Sequence, residues 1–223
     1  MANQNPFDEA EIKPDPDKRI AEAVRRILIS IGEDPDREGL VQTPKRVAQM
    51  YAELTSGYHA DLDTLVNGAI FHVNYTEMIV VLNIDFSSLC EHHLLPFFGK
   101  VHVAYIPDGR VIGLSKLPRI VEMHARRLQI QERMTTEIAN TIQHILEPRG
   151  VGVIVEARHM CTIVRGVEKV NARMVTKAML GNFGDVNIRN EFVSHIGYGD
   201  EEGIKHDHAR QREEGSFEIR NPY

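Results

Sequence analysis

Two short clusters of cysteine and histidine are the part of this sequence best suited to chemistry. Residues 90–93 read Cys-Glu-His-His, and residues 159–161 read His-Met-Cys. In the first cluster two residues separate Cys90 from His93, a spacing that a tight turn can close around one metal ion. The chain has two cysteines in total, too few for a disulfide framework. We therefore interpret them as metal ligands, catalytic nucleophiles or buried side chains.

The two clusters together predict a zinc site. Cys90, His93 and Cys161 would supply two thiolates and one imidazole, a ligand set that suits zinc. Three protein ligands leave one coordination position for water, which is typical of a catalytic rather than a structural zinc. His92 and His159 lie near these ligands in sequence and are candidates for general acid–base catalysis. The sequence does not decide whether His92 or His93 faces the metal, so their roles are interchangeable.

Length, charge and hydropathy limit the class of protein. The 223 residues (25.3 kDa) are 42% hydrophobic and 26% charged, as in ordinary soluble globular proteins. The formal net charge of −6 argues against a general nucleic-acid or membrane-surface binder. We expect a cytoplasmic protein, because the polar N-terminus lacks a signal-peptide pattern and no apolar stretch is long enough to span a bilayer. Residues 116–177 are richer in basic than in acidic side chains, which fits an anionic ligand but is explained more simply by a solvated face.

Hydrophobic periodicity predicts helices, then strands, then helices and a final strand. Apolar residues at helical spacing predict a first helix that stops at Gly32, and Thr43-Pro44 predicts the start of a second helix with Thr43 as its N-cap. Strands are predicted at 78–84, 101–106, 110–114 and 151–164, with a hairpin turn at 107–109. Helices are predicted at 118–128 and 133–146, the latter from the stripe that contains Ile138 and Ile142.

This order of elements predicts an α+β fold with an antiparallel four-stranded sheet and helices on one face. Alternation along the last strand would place His159, Cys161 and Arg165 on one face. An uncovered sheet face or edge favours an oligomer. We divide the chain into a disordered arm (1–16), an N-terminal helical region (17–60), a catalytic domain (61–197) and a polar C-terminal extension (198–223).

Four ordered sequence blocks resemble the GTP cyclohydrolase I family. They are residues 90–99 (CEHHLLPFFG), 111–116 (VIGLSK), 126–133 (RRLQIQER), and 159–161 with 165–167 (HMC and RGV). Residues 32–40 and the Thr43-Pro44 pair resemble the N-terminal helical region of that family, so the resemblance covers about residues 20–196. Four blocks in the same order are far more specific than any one of them.

The resemblance implies a fold, an assembly and an activity. The fold is the tunnelling fold, in which the subunits of a homodecamer pool their sheets into a barrel with active sites at subunit interfaces. The activity is that of a cyclic amidine hydrolase, which converts GTP and water to 7,8-dihydroneopterin triphosphate and formate in the first step of tetrahydrofolate and pterin biosynthesis. The implied cofactor is Zn²⁺. The implied partners are GTP, water and further copies of the chain, not nucleic acid or membrane, and allosteric regulation is compatible with this assembly.

Roles in the family fall on particular residues of this chain. The resemblance implies zinc ligands at Cys90, His93 and Cys161 and acid–base catalysis by His92 and His159. It implies a guanine anchor at Glu132. The remaining implied substrate contacts are Ser115, Lys116, Arg119, Gln131, Arg165 and Arg46. Without the resemblance, Glu132 would be read as an acid favoured by a helix dipole, and the basic residues as solvated or ion-paired.

One segment departs from the family pattern. Where the family carries a run close to Ser-x-Thr-Val-Thr-Ser, residues 172–177 read Ala-Arg-Met-Val-Thr-Lys, which lacks three of the hydroxyls and gains a lysine. The departure supports a second hypothesis, a catalytically altered paralogue that binds a purine nucleotide without turnover. A third hypothesis, a tunnelling-fold enzyme that reduces a nitrile on a deazapurine, is disfavoured because both cysteines already belong to the metal pattern.

Overall fold

The computed structural model describes residues 16–197 of the chain. Contacts divide the chain into two compact units, one that ends at Ser56 and one that begins at Gly57. The disordered arm predicted for 1–16 lies outside the described residues except for residue 16, and the polar extension predicted for 198–223 lies outside them entirely. None of the helices within 16–197 combines the length and the apolar content that a bilayer crossing requires.

Two packed helices form the described part of the N-terminal unit. Helix α1 (Pro16–Ser30) ends just before Gly32, whose φ of +88° is readily adopted by glycine and stops the helix. Helix α2 (Thr43–Leu54) packs against α1. Gln42 occupies its N-cap position without a capping side-chain hydrogen bond. Thr43 is therefore the first residue of the helix and not its N-cap, so the predicted N-cap is wrong by one position.

The second unit contains the remaining elements. Its helices are α3 (Leu62–Val66), α4 (Lys116–Ala125), α5 (Gln131–Leu146), the single turn α6 (Met160–Ile163) and α7 (186–197). Its strands are β1 (Ile70–His72), β2 (Ile79–Cys90), β3 (Pro96–Ile106), β4 (Arg110–Ile112), β5 (Leu128–Gln129), β6 (Gly150–His159) and β7 (Met174–Gly181). This content is that of an α+β fold, as predicted.

The main sheet has the strand order β5-β2-β3-β6-β7. Its four long strands pair antiparallel, and the two-residue β5 adds a fifth strand parallel to β2, which corrects the prediction of four strands. The predicted hairpin between β3 and β4 is wrong, since β4 pairs with β1 in a separate ribbon. The reason is that β3 is central: Tyr105 already pairs with Ile79 on one side and Val151 on the other. Strand β7, which was not predicted, is the fourth long strand of the sheet and pairs with β6.

Helices cover both faces of the sheet, which corrects the prediction of helices on one face. Alternate residues of β3 point in opposite directions, so Val103 and Tyr105 belong to one core and Ala104 and Ile106 to another. The larger core lies between the sheet and helices α4 and α5, which contribute fully buried residues such as Ile120, Met134, Ile138, Ile142 and Leu146.

The smaller core depends on α7. Ile188, Phe192 and Ile196 recur every four residues along this helix and face the sheet together with Phe183. The rings of Phe183 and Phe192 meet edge to face with centroids 5.9 Å apart, and both side chains are fully buried. Burying one such ring contributes about 1.5–3 kcal/mol, so this short helix is a substantial part of the fold.

The end of β6 differs from the prediction and sets up the site. The ladder between β3 and β6 ends with Phe97 opposite His159, because β3 itself begins at Pro96. With no strand beside it, the chain leaves the sheet and coils into α6 instead of continuing to 164 as predicted. Cys161 therefore lies on a helical turn, and the predicted strand face shared by His159, Cys161 and Arg165 does not exist.

Gly99 permits the close approach of β3 and β6 near this end. A Cβ atom at this position would lie 1.9 Å from the Glu156 carbonyl oxygen and 2.8 Å from Ala157 Cα. Both are backbone atoms, which cannot yield without displacing the strand. Glycine therefore fixes the spacing of the two strands two residues away from Phe97.

Candidate active site and metal centre

The turn between β2 and β3 carries the first cluster. Cys90, the last residue of β2, is buried, and its N–H donates to the Leu95 carbonyl at 2.9 Å. The Cys90 carbonyl accepts from the N–H groups of Leu94 at 2.8 Å and His93 at 3.3 Å. Leu94 adopts a φ of +56°, which lets the chain reverse within these few residues. The turn buries Cys90 and leaves the side chains of His92 and His93 exposed.

The two cysteines, distant in sequence, lie together. Cys90, His159 and Cys161 each place one potential ligand atom within 4.8 Å of the others. Burial raises the pKa of the Cys161 thiol and the adjacent Cys90 raises it further, while Arg165 opposes the shift. Both sulfurs are free thiols. A bound cation would favour their thiolate forms, so metal binding here releases protons.

The donor set of this cluster fits a borderline-soft divalent ion. Two sulfur atoms and one imidazole nitrogen are the ligands that zinc prefers, and the cluster includes no carboxylate from the described residues. Magnesium and calcium take oxygen ligands, so they are poorly matched to it. Cys90, Cys161 and an imidazole are therefore the residues that could hold a metal.

His93, the predicted third ligand, is not one of those three mutually close residues. Its Nε2 lies 3.2 Å from Nη2 of Arg165, whose Nη1 donates to the Cys161 carbonyl at 3.0 Å. A guanidinium can only donate, so Nε2 of His93 presents its lone pair to Arg165. Arg165 thus connects the two sequence clusters. His92 lies on the other side of the turn, with Nδ1 3.8 Å from Cys90 Sγ.

His159 is held on two sides. Its ring stacks on Phe97, with centroids 4.6 Å apart and planes 3° from parallel. Its Nε2 lies 2.9 Å from Oε1 of Gln131, the first residue of α5. Burial lowers the pKa of His159, and the charge of Glu132 acts in the opposite direction. The imidazole is therefore fixed in orientation while it remains next to a carboxylate.

A cavity of about 370 Å³ lies beside the cluster. Its lining includes six of the predicted catalytic, metal-binding and substrate-binding residues, which are Cys90, His92, Gln131, Glu132, His159 and Cys161. The segment that departs from the family pattern also reaches it through Ala172, Arg173 and Met174. Glu132 is exposed in the first turn of α5, and Gln131 is 1% exposed. The cavity therefore brings together an acidic group, two imidazoles and two thiols.

An arginine of α5 braces the turn that carries Cys90. Nη2 of Arg133 donates to Glu91 Oε2 at 2.6 Å and to the Leu128 carbonyl at 3.0 Å. Its Nε donates to Gln129 Oε1 at 2.9 Å. Since Arg133 directly follows Glu132, one turn of helix supports both the metal-binding turn and the cavity.

The predicted phosphate contacts do not line this cavity. Ser115 is exposed at the residue before α4, and Arg119 is exposed on that helix. Lys116 donates from Nζ to the Leu65 carbonyl at 2.7 Å. Arg46 is exposed on α2 of the N-terminal unit. The cavity lining thus includes the acid–base and guanine candidates and both thiols, whereas His93, Ser115, Lys116, Arg119 and Arg165 are not part of it.

Three residues with roles at the site were not predicted from sequence. Phe97 stacks on His159, Arg133 braces Glu91, and Thr176 contacts Gln131. Phe97 and Arg133 belong to the blocks that resemble the family, which is the one signal that could have marked them. Thr176 lies in a segment noted only for its departures, and its partner is 45 residues away in sequence.

Sequence comparisons with known proteins identify one family. The sequence profile described as GTP cyclohydrolase I matches residues 20–197. A GTP cyclohydrolase 1 from Leptospira biflexa is 56% identical over 177 residues, which cover 79% of this chain and 97% of that protein. One from Alkalilimnicola ehrlichii is 56% identical over 180 residues, covering 80% and 97%. One from Chlorobium phaeovibrioides is 51% identical over 187 residues, covering 83% and 84%.

We expect the substitution Arg133→Ala to weaken metal binding without unfolding the protein. Loss of the guanidinium frees Glu91 and loosens the turn that carries Cys90 and His93. Loss of such a supporting group typically lowers metal affinity by about 10–100-fold. Zn²⁺ affinity is measured by competition with a chromogenic chelator, and circular dichroism checks the fold.

Arg25→Ala is the matched control. It removes an arginine that pairs with Asp36 at 2.7 and 2.8 Å in the N-terminal unit, and it should leave Zn²⁺ affinity unchanged. Equal affinities in Arg133→Ala and Arg25→Ala would show that Arg133 does not support the metal-binding turn.

Proposed function

We propose, because the chain belongs to the GTP cyclohydrolase I family, that its cavity converts GTP and water to 7,8-dihydroneopterin triphosphate and formate. The GTP cyclohydrolase I activity itself follows from the family match and from the identity to curated relatives. The observation that carries the chemical proposal is the juxtaposition of Cys90, His159 and Cys161 with Glu132 around one cavity. We assign this reaction to the start of tetrahydrofolate and pterin biosynthesis in the cytoplasm.

The metal in this proposal is zinc, held by Cys90, Cys161 and His93. The convergence of the two thiols supports the sulfur ligands. His93 belongs to the same tight turn as Cys90, and its Nε2 lone pair is directed at Arg165, which also contacts the Cys161 carbonyl. His159 is the competing imidazole, because one of its nitrogens already lies near both sulfurs. When bound, zinc supplies Lewis acidity toward water at neutral pH.

Metal analysis of single variants separates the two imidazoles. We expect Cys161→Ala and His93→Ala to lose zinc, measured as metal per chain by mass spectrometry, because each removes a ligand. His159→Ala should keep zinc and lose turnover. His195→Ala, at an exposed histidine of α7, is the control and should keep both. Zinc loss in His159→Ala with retention in His93→Ala would instead give the ligand set Cys90, His159 and Cys161.

Acid–base catalysis is assigned to His159 and His92. Guanine C8 is a weak electrophile, and a proton delivered to N7 makes it more receptive to water. His159 suits this task because it lines the same cavity as Glu132 and stacks on Phe97, which holds its ring plane. His92, exposed on the turn beside Cys90, is free to move protons during the later ribose rearrangement and ring closure.

Guanine recognition is assigned to Glu132. A carboxylate accepts hydrogen bonds from guanine N1–H and the exocyclic amine, and adenine does not offer that pair of donors. Glu132 lies in the first turn of α5, where the positive end of the helix dipole attracts a carboxylate. Glu132 lines the cavity and is exposed.

We expect Glu132→Gln to raise the KM for GTP by tenfold or more, about 1.4 kcal/mol of lost binding. The amide nitrogen of glutamine would face guanine donors with a donor of its own. Steady-state kinetics and calorimetric titration with GTP provide the measurement. Glu191→Gln makes the same substitution at an exposed position of α7 and is the matched control. An unchanged KM with lowered thermal stability would return Glu132 to a helix-dipole role.

The triphosphate contacts are assigned to Ser115, Lys116, Arg119 and Arg165, with Arg46 as a further substrate contact. Gln131 belongs to the same set as a residue that acts on the substrate through its hydrogen bond to His159. Because Ser115, Lys116 and Arg119 are absent from the cavity lining, we place the complete site at the interface of a homodecamer, where a second copy supplies them. Strand β7 supports this, since it is an edge of the sheet in the described chain and a neighbouring sheet could extend it into a barrel. Exposed apolar residues such as Ile27, Ile31 and Leu114 are consistent with self-association.

The zinc-loaded protein tests the reaction directly. Incubation with GTP should release formate in equimolar amount to GTP consumed, and should give pterin fluorescence after oxidation and dephosphorylation. ATP is the control substrate and should give neither signal. Absence of formate from a fully zinc-loaded sample would contradict the proposed reaction.

The same experiment addresses the non-catalytic alternative. Ala172, Arg173 and Met174 line the cavity, so the departure from the family pattern reaches the site itself. Tight GTP binding without turnover would identify a paralogue that binds purine nucleotides.

A further inference from the structure

The buried amide of Gln131 has only one possible orientation. Its Nε2 lies 3.0 Å from the Val155 carbonyl oxygen, 3.1 Å from the Met174 carbonyl oxygen and 3.0 Å from Thr176 Oγ1. Carbonyl oxygens can only accept, so the nitrogen of the amide must face them. A flipped amide would press its oxygen against the carbonyl oxygens of Val155 on β6 and Met174 on β7. The oxygen Oε1 therefore faces the opposite way, toward His159.

This orientation determines which nitrogen of His159 carries hydrogen. Oε1 of Gln131 can only accept, and it lies 2.9 Å from Nε2 of His159. We propose that Gln131 is a positioning residue that holds neutral His159 as its Nε2–H tautomer and so presents the Nδ1 lone pair to the site. The catalytic consequence of this proposal rests on the acid–base role proposed for His159 above. The tautomer itself does not depend on that role.

The hydroxyl groups behind Gln131 have fixed directions as well. Thr135 Oγ1 donates to the Gln131 backbone carbonyl at 2.7 Å, which uses its only proton. Thr176 Oγ1, 2.7 Å from Thr135 Oγ1, must then be the donor of that pair. Its remaining lone pairs accept from Nε2 of Gln131. Each hydrogen bond that links His159, Gln131, Thr176 and Thr135 therefore has a fixed direction. Neither the amide nor the two hydroxyls can reorient to stabilise the other tautomer of His159.

Phe97 completes the restraint on His159. The parallel stacking at 4.6 Å holds the imidazole plane, and the hydrogen bond to Gln131 fixes rotation within that plane. Of the two nitrogens of His159, Nδ1 is then the one that can exchange a proton with a group in the cavity or bind to it. Gln131 is 1% exposed, and both ends of its amide are bonded to protein groups. Its side chain thus acts on substrate through His159 instead of by contact.

Nitrogen-15 spectroscopy of the zinc-loaded, full-length protein tests the tautomer without reference to turnover. Protein labelled with [¹⁵N]histidine is examined by magic-angle-spinning NMR at about pH 8.5, where an imidazole is neutral. His159 is assigned by its absence from His159→Asn. The expected result is a protonated Nε2 and an unprotonated Nδ1. A protonated Nδ1 with a bare Nε2 overturns the proposal, whether or not the protein releases formate from GTP.

Two variants of Gln131 test the consequence. Gln131→Met has similar length and removes the acceptor, so a population with Nδ1–H should appear. The kcat should fall on the order of tenfold, a part of what an acid–base group contributes, with KM for GTP and zinc per chain unchanged. Gln131→Glu is the conservative rescue, because a protonated carboxyl can donate to Val155 O and still accept from His159. It should retain the Nε2–H tautomer and more activity than Gln131→Met.

Two results would overturn the positioning role. One is a Gln131→Met protein with wild-type tautomer and kcat. The other is a Gln131→Met protein in which KM for GTP rises while kcat is unchanged, which would make Gln131 a substrate contact. Should Gln131→Met fail to fold, the wild-type spectrum still decides the tautomer. A normal Nε2–H spectrum from a protein that does not turn over GTP would refute the proposed reaction alone.

Discussion

The pairing of β3 with both β2 and β6 is the constraint on which the site depends. Because β2 and β6 are each antiparallel to β3, they run parallel to one another, and both end beside the first residues of β3. Leu89 lies opposite Pro96, and Phe97 lies opposite His159. Cys90 directly follows Leu89, and Cys161 lies two residues after His159. The sulfur cluster is thus a consequence of sheet register, and a slip of one residue would turn one thiol to the other face.

The two halves of the site differ in rigidity for a physical reason. The half formed by α5 and β6 is backed by a buried core and by a hydrogen-bonded amide that would cost about 1–3 kcal/mol if left unpaired. The half formed by the turn at 91–94 is exposed, and the brace from Arg133 to Glu91 is a main support for it. His159 is therefore held in one orientation, whereas His92 and His93 have room to adjust. That division suits a reaction with one well-defined proton delivery followed by several rearrangements.

Sequence reasoning could predict what depends on local pattern. The apolar stripe that contains Ile138, Ile142 and Leu146 predicted helix α5, and these side chains are fully buried. The two Cys-His clusters predicted the candidate metal residues, and the resemblance identified the family. Hydrophobic periodicity cannot show where the neighbouring strand ends. The predicted strand therefore runs to residue 164, whereas β6 ends at His159. Periodicity also could not show that β3 has both edges occupied, which made β4 look like its hairpin partner. The direction of the Gln131 amide depends on carbonyl groups of β6 and β7, which no local pattern contains.

The departure at 172–177 is easier to understand once residues 174–177 are placed on β7 and residues 172 and 173 just before it. Val175 and Lys177 are exposed, while Met174 and Thr176 point toward α5. Thr176 is the hydroxyl that this chain shares with the family run, and it is the one bonded to Gln131 and Thr135. The hydroxyls that differ lie on the exposed face or at the rim of the cavity, where Ala172 and Met174 now make it more apolar. The substitutions therefore leave intact the contacts of Gln131 and Thr176 that orient His159, and they change the rim of the cavity and the exposed face of β7 instead.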